Sequence, residues 1–405
     1  MVTRMAKAAS SINLPNQNPE RIELLDAIRG FALFGILLMN LEAFNGPILG
    51  AMTGIDSHLQ GIDRWADAFI YIFVQGKFWT LFSLVFGVGF AIMFERAKQA
   101  SGDFVSIYKR RLFALLGIGL IHLLLIWEGD ILFAYALAGF VLLWLLKSGR
   151  TSSLPAIIVL YCAPLALLAL AGAFSPGDAS PRSLAVELAE ETRIFGHASY
   201  SNVLHWRLGN FGQDFFSTVF LLPMTVAMFA LGVRFYRNGL VQPLLGKDSS
   251  SIILPAVLWS SGLALMLLSI WIAPEINPLR TDWQFAKVNI LNLLAGPLMC
   301  LGYFFGLRHW WSIDAGRKVL QFFAPLGRMA LSNYISQSII CTLIFYGYGL
   351  GYYQQLPRVW HIPFAVALIA LQTAFSTWWL KRYSMGPAEY IWRWLTYGKR
   401  PKFVL

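Results

Sequence analysis

Residues 25–40 read LDAIRGFALFGILLMN. The run is apolar over a length suited to lipid, yet it carries Asp26, Arg29 and Asn40. A helix that only anchors a chain has no use for them, because charge facing lipid is costly. At about 100° per residue, Asp26, Arg29, Leu33 and Asn40 fall within an arc of about 60° on one face. Asp26 and Arg29 are helical neighbours able to pair. Asn40 lies roughly 21 Å further along the axis. One face therefore carries polar groups near both membrane surfaces and has to point into protein. Two readings stay open: a structural ion pair with a packing Asn, or parts of a site.

The chain around this run is 57% apolar and 13% charged over 405 residues. Soluble domains are nearer about 45–50% and 25%. A soluble core cannot hide that excess, so the chain reads as an all-α polytopic membrane protein with the lipid bilayer as its first partner. The net charge of +11 does not indicate nucleic acid, because the basic residues sit in short loops and form no stripe. Cys162, Cys300 and Cys341 lie in apolar stretches without ligand spacing and read as small core residues. The first 24 residues are polar and lack an apolar signal core, so the first span is expected to stay uncleaved.

About 20 apolar residues cross a bilayer. Candidates fall at 24–44, 77–94, 110–127, 131–146, 153–174, 213–233, 252–273, 286–307, 325–346 and 362–380, which makes ten. WADAFIYIFV at 65–74 is too short to cross alone and reads as interfacial, re-entrant or an extension of the second span. With a cytoplasmic N-terminus, the cytoplasmic segments hold 22 Lys and Arg, and the opposite loops hold only Arg64, Arg182, Arg193, Arg207, Arg280 and Arg358. That asymmetry places both termini in the cytoplasm. The outer loop 175–212 contains a helix-like stretch, LAVELAEETRIF, at 184–195. GPAEYIWRWLTY at 386–397 mixes aromatic and basic residues like a helix at headgroup level.

Three places carry more polarity than a passive bundle needs. RRLFALLGIGLIHLLLIW at 110–127 puts His122 roughly 16 Å above Arg111. A buried His can serve as a general base or can simply satisfy a neighbouring helix. On an unbroken helix Asp130 would stand about 12 Å from His122, so the two meet only if the chain folds back at Gly129. Lys109, Arg110 and Arg111 read as topology determinants or as a phosphate site. GRMALSNYISQS at 327–338 crowds Arg328, Ser332, Asn333, Tyr334, Ser336, Gln337 and Ser338 into one span. Asn333 and Gln337 share a face and line a cavity or act as interhelical glue. GVG at 87–89 sits mid-span and reads as packing. His58, His197 and His205 in the outer loops make a poor metal site, and no metal is expected.

LDAIRGFALFGILLMN, GKFWTLFSLVFGVGF at 76–90, GLIHLLLIWEGDILFAYALAG at 119–139, GRMALSNYISQSII at 327–340 and GPAEYIWRWLTYGKRP at 386–401 occur in order along the chain. Together they resemble the YeiB family (domain of unknown function 418) of multi-pass bacterial inner-membrane proteins. The first motif also resembles the opening helix of membrane acyltransferases, such as heparan-α-glucosaminide N-acetyltransferase and acyltransferase family 3. The resemblance implies a cytoplasmic segment 1–23, an acyltransferase-like half 24–210, a YeiB-type half 211–385 and an interfacial segment 386–405.

It also implies transfer of an acyl group from cytoplasmic acyl-CoA, acetyl-CoA first, to a small-molecule, glycan or lipid acceptor at or beyond the membrane. Asn40 matches the Asn that ends the first-helix motif, and His58 is the loose counterpart of the outer-loop His that follows it. On this reading His122 is the base, Asn40 holds the acyl oxygen and Asp130 orients the base or the acceptor. Arg29, Arg110 and Arg111 hold the donor phosphates. Asn333, Gln337, Tyr135 and Arg328 line the acceptor cavity. A homo-oligomer is compatible with it. The rival reading is a transporter or exporter of a small metabolite or lipid-like molecule. A third is a non-catalytic membrane scaffold.

Overall fold

The computed structural model describes residues 22–99, 103–147, 153–175, 181–242, 252–280 and 282–404. These residues are helical, with no strand ladder among them and only two isolated bridges, Gly54 with Glu275 and Tyr383 with Val404. The helices are α1 (Glu23–Asn45), α2 (Gly61–Phe73), α3 (Lys77–Gln99), α4 (Phe104–Ile121), α5 (Leu132–Lys147), α6 (Leu154–Phe174), α7 (Pro181–His197) and α8 (Tyr200–Arg237). Then come α9 (Ile253–Ile272), α10 (Trp283–Trp311), α11 (Asp314–Gln321), α12 (Ala324–Arg328), α13 (Ala330–Phe345), α14 (His361–Trp379) and α15 (Pro387–Tyr397).

The ten apolar segments fall on α1, α3, α4, α5, α6, α8, α9, α10, α13 and α14. Seven described stretches are long and apolar enough to cross a membrane, among them α1, α6, α8, α9 and α10. The residues 132–146 of α5, together with α13, are shorter, and α4 carries Lys109, Arg110 and Arg111 within its 18 residues. The 65–74 segment lies mostly in α2, set off from α3 by a bend at Gly76, whose φ of +79° suits glycine. The 175–212 segment is largely helix. Its helix-like stretch is α7, and α8 begins at Tyr200, well before the expected 213.

The opening helix is the axis of the bundle. α1 packs on α3, α10, α12, α13 and α14 and is buried almost all round. This explains its weak apolar–polar division: a helix wrapped by others has no wet side. α3 and α8 cross with their backbones close together. A Cβ on Gly87 would run into the Phe229 carbonyl, and one on Gly232 into that of Leu84. Small residues let two backbones approach in this way, so Gly87 of the GVG stretch is a packing residue, whereas Gly89 faces Arg29.

The two ends of α1 meet different chemistry. At the end carrying Asp26 and Arg29, α12, α15 and the last turns of α3 bring further basic residues. At the other, Glu42 receives Arg358 Nη2 at 2.7 Å, and Arg358 Nε lies 3.1 Å from Asp67. Asn45 donates to the Leu356 carbonyl at 2.9 Å and lies 3.3 Å from His361. These ties hold α1, α2 and α14 together at the less basic end.

Candidate functional site

α4 does not run straight into the loop. After Ile121 the backbone widens into a π-turn over His122–Ile126, and Trp127 N–H reaches back to the His122 carbonyl at 2.8 Å. Such bulges often mark functional positions. Trp127 is extended, and the chain reverses before α5 starts at Leu132. A Cβ on Gly129 would collide with the Trp127 indole, so only glycine fits the reversal. Gly119 allows the return, because a Cβ there would strike the Phe133 backbone. The fold-back that contact between His122 and Asp130 requires is therefore present.

Asp130 uses its two oxygens differently. Oδ2 accepts from Phe133 N–H at 2.6 Å and caps the start of α5. Oδ1 lies 2.8 Å from His122 Nδ1. At that separation the imidazole is turned off line, so the two atoms meet ion-pair distance but not hydrogen-bond geometry. Catalytic hydrogen bonds often align only once substrate is bound. On the far side of the ring, Nε2 is 2.9 Å from Ser338 Oγ of α13. A carboxylate oxygen beside Nδ1 favours the proton on Nδ1, which leaves Nε2 to accept from the Ser338 hydroxyl. Ser338, His122 and Asp130 thus form a serine–histidine–carboxylate line. Side-chain exposure is 1% for His122 and 0% for Asp130, and Ser338 is equally buried.

A cavity of about 840 Å³ lies at the basic end of the bundle, lined by Tyr334 but by none of His122, Asp130 and Ser338. Arg29, Arg96, Arg111, Arg328 and Arg393 line it, with Asp26 and Glu389 as the acids. Phe86, Phe90 and Tyr108 form an aromatic wall, and Ile131, Tyr135 and Tyr334 stand at the inner end. Tyr334 faces both ways. It lines the cavity, its ring centroid is 5.1 Å from that of His122, and its hydroxyl donates to the Gly129 carbonyl at 3.3 Å.

α15 supplies one side of the mouth. The Arg111 guanidinium lies 3.5 Å over the Trp392 ring, and Trp392 Nε1–H donates to the Arg111 carbonyl at 2.9 Å. Glu389 accepts from Leu331 N–H at 2.7 Å and Ser332 N–H at 3.2 Å, joining α15 to the start of α13. Burial pushes the Glu389 carboxyl above its ordinary range, opposed by the Ser332 hydroxyl bond.

The structure sorts the expected residues. Arg29, Arg111, Arg328 and Tyr135 line the cavity, with Arg29 paired to Asp26 at 3.0 Å. Tyr135 is partly engaged: its hydroxyl donates to the Trp79 carbonyl at 3.0 Å and lies 2.7 Å from Ser83 Oγ. Arg110 is exposed and outside the cavity, because one residue turns it about 100° away from Arg111. Asn40 is buried in α1 but does not line the cavity.

Asn333 and Gln337 do not line it either. Asn333 donates to the Leu326 carbonyl at 3.1 Å and to Ser376 Oγ at 3.0 Å, and Gln337 donates to Gln372 at 2.9 Å. They are glue between α13 and α14. Tyr334 and Ser338, one residue further on, lie about 100° round the helix and face the π-turn and the loop before α5. The spacing of Tyr334 and Ser338 was visible in the sequence, but nothing there paired Ser338 with His122. Arg96, Arg393 and Glu389 are cavity residues that the sequence reading missed.

Residues 235–399 match the protein family of unknown function DUF418. The chain is 33% identical over 404 residues to the uncharacterized protein YxaH of Bacillus subtilis (strain 168), covering 95% of this chain and 96% of the relative. This chain belongs to the DUF418 family. It is also 29% identical over 393 residues to the uncharacterized protein YeiB of Escherichia coli (strain K12), covering 93% of this chain and 96% of the relative. The DUF418 match holds Tyr334, Ser338, Arg328 and Glu389, whereas His122 and Asp130 lie ahead of it. The site is therefore assembled from both halves of the chain.

Proposed function

We propose that this DUF418 protein is an integral-membrane acyltransferase of the bacterial cell membrane, with both termini in the cytoplasm. The observation that carries the reading is a buried serine–histidine–carboxylate line directly behind Tyr334, a residue that lines a cavity holding five arginines. Acyl-CoA, with acetyl-CoA as the simplest donor, places its phosphates among Arg29, Arg111 and Arg328, since guanidinium groups match phosphate oxygens. Its flexible arm extends along the aromatic wall toward Tyr135 and Tyr334. His122 is the general base, and Asp130 fixes its tautomer and stabilises the imidazolium. The acceptor is a hydroxyl or amine reaching the site from the opposite side. The excess of Lys and Arg at the cavity end supports a cytoplasmic donor.

Calorimetry with detergent-purified protein tests the donor half. Acetyl-CoA or a longer acyl-CoA should bind saturably and bind more weakly to Arg111→Ala. A cavity inside a multi-helix bundle also suits a transporter. Substrate flux across vesicles without consumption of acyl-CoA would favour that reading.

A further inference from the structure

We infer that Ser338 is the acyl carrier of this protein, so that transfer runs through a covalent Ser338 ester rather than directly from donor to acceptor. The inference rests on the acyl-transfer reading and adds a residue and an intermediate to it. If His122 only deprotonated the incoming acceptor, its Nε2 would face open space where that acceptor could dock. Instead Nε2 already faces Ser338 Oγ at 2.9 Å, with Asp130 Oδ1 2.8 Å from the opposite nitrogen. A hydroxyl, an imidazole and a carboxylate in this order are what activate a serine nucleophile.

The position of Ser338 suits a two-step transfer. It lies one helical turn beyond Tyr334, which separates the donor cavity from the histidine. Tyr334 holds its place through the Gly129 carbonyl and the Ile131 N–H, both at 3.3 Å. The Tyr334 ring has to swing aside for a donor thioester to reach Ser338. An acyl group left on Ser338 stays inside the bundle when the spent donor departs, and no charged donor has to cross the membrane.

The steps balance. Ser338 Oγ attacks the thioester carbonyl carbon while His122 Nε2 takes the hydroxyl proton. The tetrahedral intermediate collapses, the carbon–sulfur bond breaks, and the imidazolium proton goes to the leaving thiolate. The products are a Ser338 ester and a free thiol. In the second half, an acceptor hydroxyl or amine attacks the ester carbonyl and gives its proton to His122. The bond to Ser338 Oγ breaks, and that oxygen recovers the proton.

The test uses the full chain in detergent, radiolabelled acetyl-CoA and no acceptor. Intact-mass and peptide analysis should find one acetyl group on the peptide containing Ser338. Ser338→Ala should bind acetyl-CoA, carry no label and release thiol about 10³-fold more slowly or worse than wild type in the first half-reaction. Ser338→Cys should form a thioester that neutral hydroxylamine releases, which guards against a Ser338→Ala variant that fails to fold. Thiol release from acetyl-CoA by wild type and Ser338→Ala at equal rates, with no acylated protein, would overturn the carrier role and leave acyl transfer standing. Acetyl-CoA neither bound nor consumed by folded wild type would remove both.

Discussion

Asp130→Asn separates the catalytic from the structural use of one side chain. Asn keeps an oxygen for Phe133 N–H, and Asn and Asp are comparable helix caps, so α5 should start as before. With that oxygen on Phe133 N–H, the position 2.8 Å from His122 Nδ1 is taken by the amide nitrogen, a donor. An amide donor there drives the proton to Nε2, which then donates to Ser338 instead of accepting from it. The base is lost while the fold is kept. Loss of the carboxylate in such a line costs about 10⁴ in rate in the best-studied case, which corresponds to roughly 5.5 kcal/mol of barrier. The expectation here is a fall of about 10³–10⁴ in acyl-CoA turnover, followed as thiol release, with little change in thermal unfolding in detergent. Asp130→Ala should lose the rate and also about 1 kcal/mol of stability, because it removes the cap. The reasoning fails if Asp130→Asn keeps turnover within about threefold of wild type while His122 variants lose it.

Other expectations follow from the same geometry. Arg111→Ala should weaken acyl-CoA binding by about tenfold, whereas Arg110→Ala should not, because Arg110 points out of the cavity; equal losses in calorimetry would contradict the placement. Gly87→Ala places a methyl group against the Phe229 carbonyl and should cost about 1–3 kcal/mol or prevent folding, read as a lower unfolding temperature. Burial of Glu191 in α7, opposed by Leu49 N–H, holds its carboxyl at about 7 against an ordinary 4.5. A raised carboxyl pKa makes the folded state bind the extra proton, so its contribution is full below pH 4.5 and is lost as pH rises through about 7. Glu191→Gln should remove up to about 3 kcal/mol of that loss, seen as a flatter plot of unfolding temperature against pH; identical plots would refute it.

Much of the fold is legible in the sequence because hydropathy reports directly on membrane helices. Every apolar segment longer than about 17 residues lies on a helix, and the asymmetric loop charge marks the basic end where the cavity opens. The length of α8 was hidden, since SNVLHWRLGNFGQD at 201–214 is too polar to extend an apolar run. The site was legible in parts. His122 and Asp130 stood out as ionisable groups near one span, but their contact depends on a π-turn and on a reversal at Gly129. Neither leaves a periodic signal. Arg110 and Arg111 are chemically equivalent in sequence, and only the helix register separates the exposed one from the cavity one. Ser338 was obscured by its polar neighbours, because the division of α13 into an α14-facing side and a His122-facing side depends on which helix packs where.

The most direct test of the central claim compares purified wild type with His122→Gln for acetyl-CoA consumption, followed as free thiol released. Wild type should release thiol in proportion to enzyme, and His122→Gln should bind acetyl-CoA yet release it at background rate. Equal release by both proteins, or none by folded wild type with any acyl-CoA, would contradict the account.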